Sequence, residues 1–328
     1  MAGMIVPRFW AEGRLQEKSK KRQITVRRLG WSDESQAKAQ VHADGRTREA
    51  FDRIRNGEKL ARREGRVAYN GADGVPIREE ILSRHGDTII TRNSYGARCL
   101  NSPDVLFADV DFPKPKVPRG PLFLGAVISA AVAMLLIGRN RAIAGCITLP
   151  VSLIVLGACW KIYRLLRSTI EVKPDVLARK RILRALESRP SWSARIYRSP
   201  AGFRVLVVHL RFDPNAPEVA SFFKDLGSDP IYVRMCLRQR CFRARVSPKP
   251  WRIGIRSHLR PRPGVWPIRP DRLPDRQKWV AEYEAASLAY ASCRYVESLG
   301  PGAEDPAVAA VRALHDELSQ ALSSLPIA

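Results

Sequence analysis

Residues 121–138 read PLFLGAVISAAVAMLLIG and residues 142–160 read AIAGCITLPVSLIVLGACW, two charge-free runs separated only by Arg139, Asn140 and Arg141. At 1.5 Å per residue, each run would make a helix about 27–29 Å long, close to the hydrocarbon thickness of a bilayer. Gly125, Ala130, Ala131 and Ala133 on the first run, with Ala144, Gly145 and Gly157 on the second, would let the two helices approach closely. Pro150 would bend the second helix, which membrane helices tolerate, and Trp160 falls where an interfacial indole belongs. The reading is a two-helix transmembrane hairpin. Lys114, Lys116 and Arg119 precede it and Lys161, Arg164 and Arg167 follow, so the positive-inside bias predicts both termini in the cytosol.

Outward from this hairpin, strand and helix signals alternate on both sides. Residues 22–28 (RQITVRR) carry β-branched side chains in alternation, and 32–35 (SDES) offers a cap for a polar helix to about residue 63. Strands are predicted over 79–84, 88–92 and 105–112, separated by Gly86-Asp87 and by an Asn101-Ser102-Pro103 turn. Beyond the hairpin, Pro174 opens an amphipathic helix. Residues 195–197 and 203–209 read as strands around Ser199-Pro200-Ala201-Gly202, and 217–226 reads as a helix. A strand over 242–246 and two C-terminal helices, about 274–298 and 305–324, complete the chain. The expected fold is an α+β cytosolic domain interrupted by the transmembrane hairpin and closed by two C-terminal helices. Its parts are an N-terminal stretch 1–113, the hairpin 121–160, a basic stretch 161–273 and a helical pair 274–328.

The composition limits function more than fold. A mean hydropathy of -0.22 and an apolar fraction of 45% suit a globular chain, not a many-span transporter. A formal net charge of +24 favours polyanions: nucleic acid, anionic lipid or acidic partners. The six cysteines form no CxxC pair and no zinc spacing, and no P-loop or dinucleotide fingerprint is present. The first 23 residues have no apolar core followed by a cleavage site, so no secretory leader is expected.

From Pro230 to Pro270 the chain has no Asp or Glu. It does carry Arg234, Arg238, Arg240, Arg243, Arg245, Lys249, Arg252 and Arg256, with Tyr232, Phe242, Trp251 and Trp266 interleaved. Guanidinium forks suit phosphate and flat rings can stack on bases. The same residues would equally serve as a solvated face or lie against anionic lipid. Polyanion binding by these residues together with Arg204 is the expectation, with the partner left open between anionic lipid and nucleic acid.

LFADVDF, residues 106–112, places Asp109 and Asp111 on one face of a strand, where paired carboxylates can hold Mg²⁺ or Mn²⁺. A strand ending in DxD, then a small-residue turn into an apolar strand (SPAGFRVLVVH), then a strand into a basic loop (FRARVSPKPWR), resembles the motif order of archaeo-eukaryotic-type primase-polymerases. That resemblance implies metal at Asp109 and Asp111 and a nucleotide contact at Arg204, which stands where the family carries histidine. His209 lies five residues further on, and no third acidic motif accompanies the first two. More broadly, RHGDTIITRNSYGARCLNSPDVLFADVDF and SDPIYVRMCLRQRCFRARVSPKPWR resemble an uncharacterised family of bacterial membrane proteins. This resemblance covers most of the chain and implies a bacterial inner-membrane location without implying an activity. Three functions stay open: a membrane-anchored polyanion binder without catalysis, a divergent primase-polymerase-like nucleotide or nucleic-acid binder, and an assembly partner acting through the C-terminal helices.

Overall fold

The computed structural model describes residues 6–18, 23–64, 75–113, 173–262 and 264–328, and between them residues 123, 126–128, 130, 153–158 and 160–162. The chain forms two units, Met1–Asp111 with Arg179–Ala328, and Phe112–Ala178. The first half carries β1 (Phe9–Lys18), β2 (Gln23–Ser32), α1 (Gln36–Arg55), β3 (Glu80–His85), β4 (Thr88–Arg92), β5 (Arg98–Ser102) and β6 (Phe107–Asp111). Then follow α2 (Pro174–Glu187), β7 (Ala194–Ser199), β8 (Gly202–Val207), α3 (Pro217–Leu226), α4 (Pro230–Gln239) and β9 (Phe242–Arg245). The chain ends in α5 (Leu273–Ser287), β10 (Arg294–Leu299) and α6 (Pro306–Ser319).

The transmembrane hairpin is corrected. No helix among the described residues is long and apolar enough to cross a membrane. The longest, α1, has 20 residues but carries charge from Lys38 to Arg55. The others run 10 to 15 residues, about 15–22 Å, short of a hydrocarbon core. Within 121–160 the described residues are helical, with Phe123, Val127, Leu153 and Ile154 exposed; the turn at Arg139–Arg141 and the rest of both runs lie outside the described residues. Freedom from charge allows a span of a given length but does not by itself specify one. The inner-membrane location with cytosolic termini is corrected with the hairpin.

Three antiparallel sheets organise the larger unit: a β1-β2 ribbon, a sheet of order β3-β4-β5-β9 and a sheet of order β10-β7-β8-β6. α1 lies on the ribbon, its Ala50, Phe51 and Ile54 packing with Ile24 and Val26. Ser35 caps it by accepting from the Lys38 N–H. The two larger sheets mix the chain ends. β5 pairs with β9 and β6 with β8, so strands before and after 112–178 complete one another. β8 (GFRVLV) is buried at all six positions and β4 (TIITR) at all five, as strands covered on both faces require. α3 buries Val219, Phe222, Phe223 and Leu226, one helical stripe, and stops at Gly227 in the left-handed region.

The C-terminal pair is also corrected. The helix predicted over 274–298 ends at Ser287, and Arg294–Leu299 is instead a strand paired antiparallel with β7. Trp279 and Tyr283 of α5 stack at 5.3 Å inside a cluster with Ile253, Ile255 and Leu259, and Ala291, Ser292 and Cys293 are buried. The segment is therefore built into the sheet, and it is not a detached helical appendage.

Candidate functional site

β6 and β8 lie side by side with Asp109 opposite Arg204 and Asp111 opposite Gly202. Glycine is needed there, since a Cβ on residue 202 would sit 2.2 Å from the Val110 carbonyl oxygen. Asp109 and Asp111, two apart on the strand, face one cavity of about 370 Å³. Arg204, Arg243, Arg245, Lys249 and Arg252 line the same cavity, together with Glu79, Tyr95, Phe203, Tyr232 and others. The DxD pair, Arg204 and the core of the basic stretch thus converge. Arg234 and Arg238 are instead exposed on α4, Arg240 ends that helix, and Arg256 is exposed beyond the loop; none of these four lines the cavity.

The cavity has an internally neutralised floor. Arg204 is 3% exposed and donates from Nε to Asp109 Oδ1 at 2.9 Å and from Nη1 to the Arg245 carbonyl at 2.8 Å. Burial alone would lower its pKa; the Asp109 carboxylate outweighs this and holds the guanidinium above its ordinary range. Behind it, Nη1 lies 3.2 Å from His315 Nε2, and His315 Nδ1 lies 3.0 Å from Asp316 Oδ1. A guanidinium only donates, so Nε2 accepts and Nδ1 carries the proton toward Asp316. A second buried pair stands nearby, where Arg243 Nη2 reaches Glu79 Oε2 at 2.5 Å and Thr91 donates to the same oxygen at 2.6 Å. Tyr232 ties the two sheets, its hydroxyl lying 2.8 Å from the Phe107 carbonyl and 3.0 Å from that of Arg243.

Above this floor the cations outnumber their counter-charges. Burial, then Arg245 and Arg252, pull Lys249 below its ordinary 10.5, while Asp111 and Asp109 oppose the shift. Burial and then Arg245 likewise lower Arg252. Half-buried cations that depress one another mark a place where an anion would be stabilising. The Nη1 atoms of Arg243 and Arg252 are both buried, and neither has a hydrogen-bond partner among the described residues. An unsatisfied buried N–H costs about 1–3 kcal/mol, and both residues line the cavity, so an acceptor held there would recover that cost.

Sequence reasoning did not find Glu79, Tyr95 or the Tyr232 bridge. Asn93-Ser94-Tyr95-Gly96 was a readable turn: Asn93 Oδ1 accepts from Tyr95 N and Ala97 N, and Gly96 has a φ of 100°. Burial, with Cys99 adding, pushes the Tyr95 phenol up to about 12. Asp229 also lines the cavity, while its side chain caps α4 by accepting from the Ile231 N–H. His209 is elsewhere, accepting from Ser193 N and packing on Trp192.

No group of three or more His, Cys, Asp or Glu among the described residues could hold a metal ion. Asp109 and Asp111 offer two carboxylates, and Asp109 is held by Arg204. Mg²⁺ or Mn²⁺ would therefore need its remaining ligands from water and from a bound phosphate. Fold and site together define a mixed α and β protein with a cation-lined cleft between two antiparallel sheets. Set against known proteins, the chain matches no family model, no curated protein and no solved structure.

Proposed function

We propose that the protein binds the phosphate groups of an anionic ligand in this cavity, with Arg243, Arg245, Lys249 and Arg252 as the contacting cations. The observation that carries this reading is the pair of buried guanidinium N–H groups, on Arg243 and Arg252, that have no acceptor among the described residues. The cavity volume of about 370 Å³ suits a compact ligand or one end of a longer one, so the reading concerns a site and not an extended charged face. No reaction is part of it.

A metal-assisted version has its own support. Asp109 and Asp111 share the cavity with the cations, and Mg²⁺ is commonly held by one or two carboxylates plus ligand phosphates. One calorimetric titration of the full chain with tripolyphosphate, with and without Mg²⁺, tests both versions. Saturable binding that weakens with salt is expected, falling about 10–100-fold in Arg245→Ala/Arg252→Ala and little in Arg234→Ala/Arg238→Ala. Equal losses in the two double variants would reduce the site to diffuse surface charge. Affinity indifferent to Mg²⁺ would remove the metal.

A further inference from the structure

Among the aromatic side chains around the cavity, Trp251 is anomalous. It sits in the single turn Pro250–Arg252, between two of the cavity's cations, yet 57% of it is exposed. Neighbouring aromatics at this end of the molecule are buried: Trp279 is 4% exposed and Tyr283 is fully covered. The Trp251 ring touches two cavity-lining residues. Tyr95 meets it edge-on at 5.3 Å between centroids, and Lys249 Nζ lies 5.4 Å from its centroid. These contacts fix the ring at the rim while leaving most of its surface to solvent. Ile231, 48% exposed, adds an apolar side chain to the cavity lining.

What distinguishes Trp251 is its position: an open indole held against two residues that line a cation-rich cavity. A lipid tail would meet only one ring and a helix N-terminus, with cations on both sides. A planar base attached to a phosphate satisfies both features at once, because bases stack on indole through their π faces and carry their charge one sugar away.

We propose that Trp251 is a stacking platform for an unpaired nucleobase whose phosphate occupies the cavity beside Lys249 and Arg252. This rests on the phosphate-binding reading and adds to it the chemical class of the ligand: a nucleotide unit, either free or at the exposed end of a single strand. A base in the interior of a duplex, stacked on both faces, cannot offer a face to the ring.

The test compares base-bearing and base-free probes on the full chain: adenosine monophosphate, a 5′-phosphorylated triadenylate, a relaxed circular duplex without ends, and tripolyphosphate. The wild-type protein is expected to prefer at least one unpaired base-bearing probe over tripolyphosphate. Trp251→Ala is expected to cut that preference on the order of tenfold, and Trp251→Phe to retain most of it. Whether the monophosphate or the triadenylate shows the effect identifies the source of the base. A preference unchanged in Trp251→Ala, or a duplex bound as well as the single strand, overturns the platform and leaves phosphate binding standing. If tripolyphosphate and the base-bearing probes all fail to bind the wild type, the phosphate reading fails first and the platform falls with it.

Discussion

Arg204 and Asp316 show how far single side chains reach through this molecule. Asp316 is 5% exposed and accepts from Arg195 at 3.2 Å as well as facing the His315 ring that backs Arg204. Burial would raise its pKa; the His315 contact, with Tyr197 and Arg195, outweighs that and holds the carboxyl below its ordinary 3.8. The unfolded chain then binds more protons in the window just below 3.8, so stability rises with pH there. The contribution is complete above the ordinary carboxylate range and is lost as pH falls through the lowered value. Asp316→Asn is expected to cost about 3 kcal/mol at pH 7, with the gap to wild type narrowing below pH 3.8. Urea unfolding midpoints at neutral and acid pH read both quantities. A gap that stays constant would detach Asp316 from acid stability.

At the scale of elements, two glycines make opposite predictions. A Cβ on Gly202 would press within 2.2 Å of the Val110 carbonyl, where β6 and β8 meet under the site. Gly202→Val is expected to lose about 2–3 kcal/mol and tripolyphosphate binding together. Gly45, inside α1, has open space around the same position, so Gly45→Ala should gain about 0.5–1 kcal/mol and leave binding alone. Thermal melts with parallel titrations check both, and equal effects would break the argument from space.

Elements are also where the sequence was partly legible. Period-two spacing put Asp109 and Asp111 on one face, and Gly202 announced the turn that brings Arg204 across from them. β5 was hidden because RCLNS lacks the alternation of a half-buried strand, being buried from Cys99 to Ser102. α4 was hidden inside a stretch read only for its arginines, although Asp229 and Pro230 spell a helix start and Tyr232, Met235 and Cys236 share one stripe. The uncharged runs around residue 140 misled for a different reason: hydrophobic length says what a segment could tolerate, and not what structure it takes.

At the scale of the whole molecule, the cleft belongs to neither half of the chain. β5 needs β9 and β6 needs β8, each pair joining residues more than ninety positions apart. A fragment of residues 75–111 is therefore expected to show no slowly exchanging amides alone and to gain them when mixed with residues 179–328. The ribbon and α1, with their own core, should be protected in residues 6–64 without help. Hydrogen exchange followed by mass spectrometry measures both. Protection of 75–111 in isolation would show that the sheets do not depend on their distant strands. Glu79, Tyr95 and Tyr232 escaped the sequence reading for the same reason, since their contacts exist only after these distant pairings form.

The Arg204–Asp109 contact has one more consequence. The negative group nearest the floor is cancelled by a partner that keeps its proton at any pH a cell experiences. Acidifying or neutralising the surroundings thus leaves that part of the cleft's polarity untouched. Competing ions, by contrast, screen the cleft at every pH and would loosen whatever docks there.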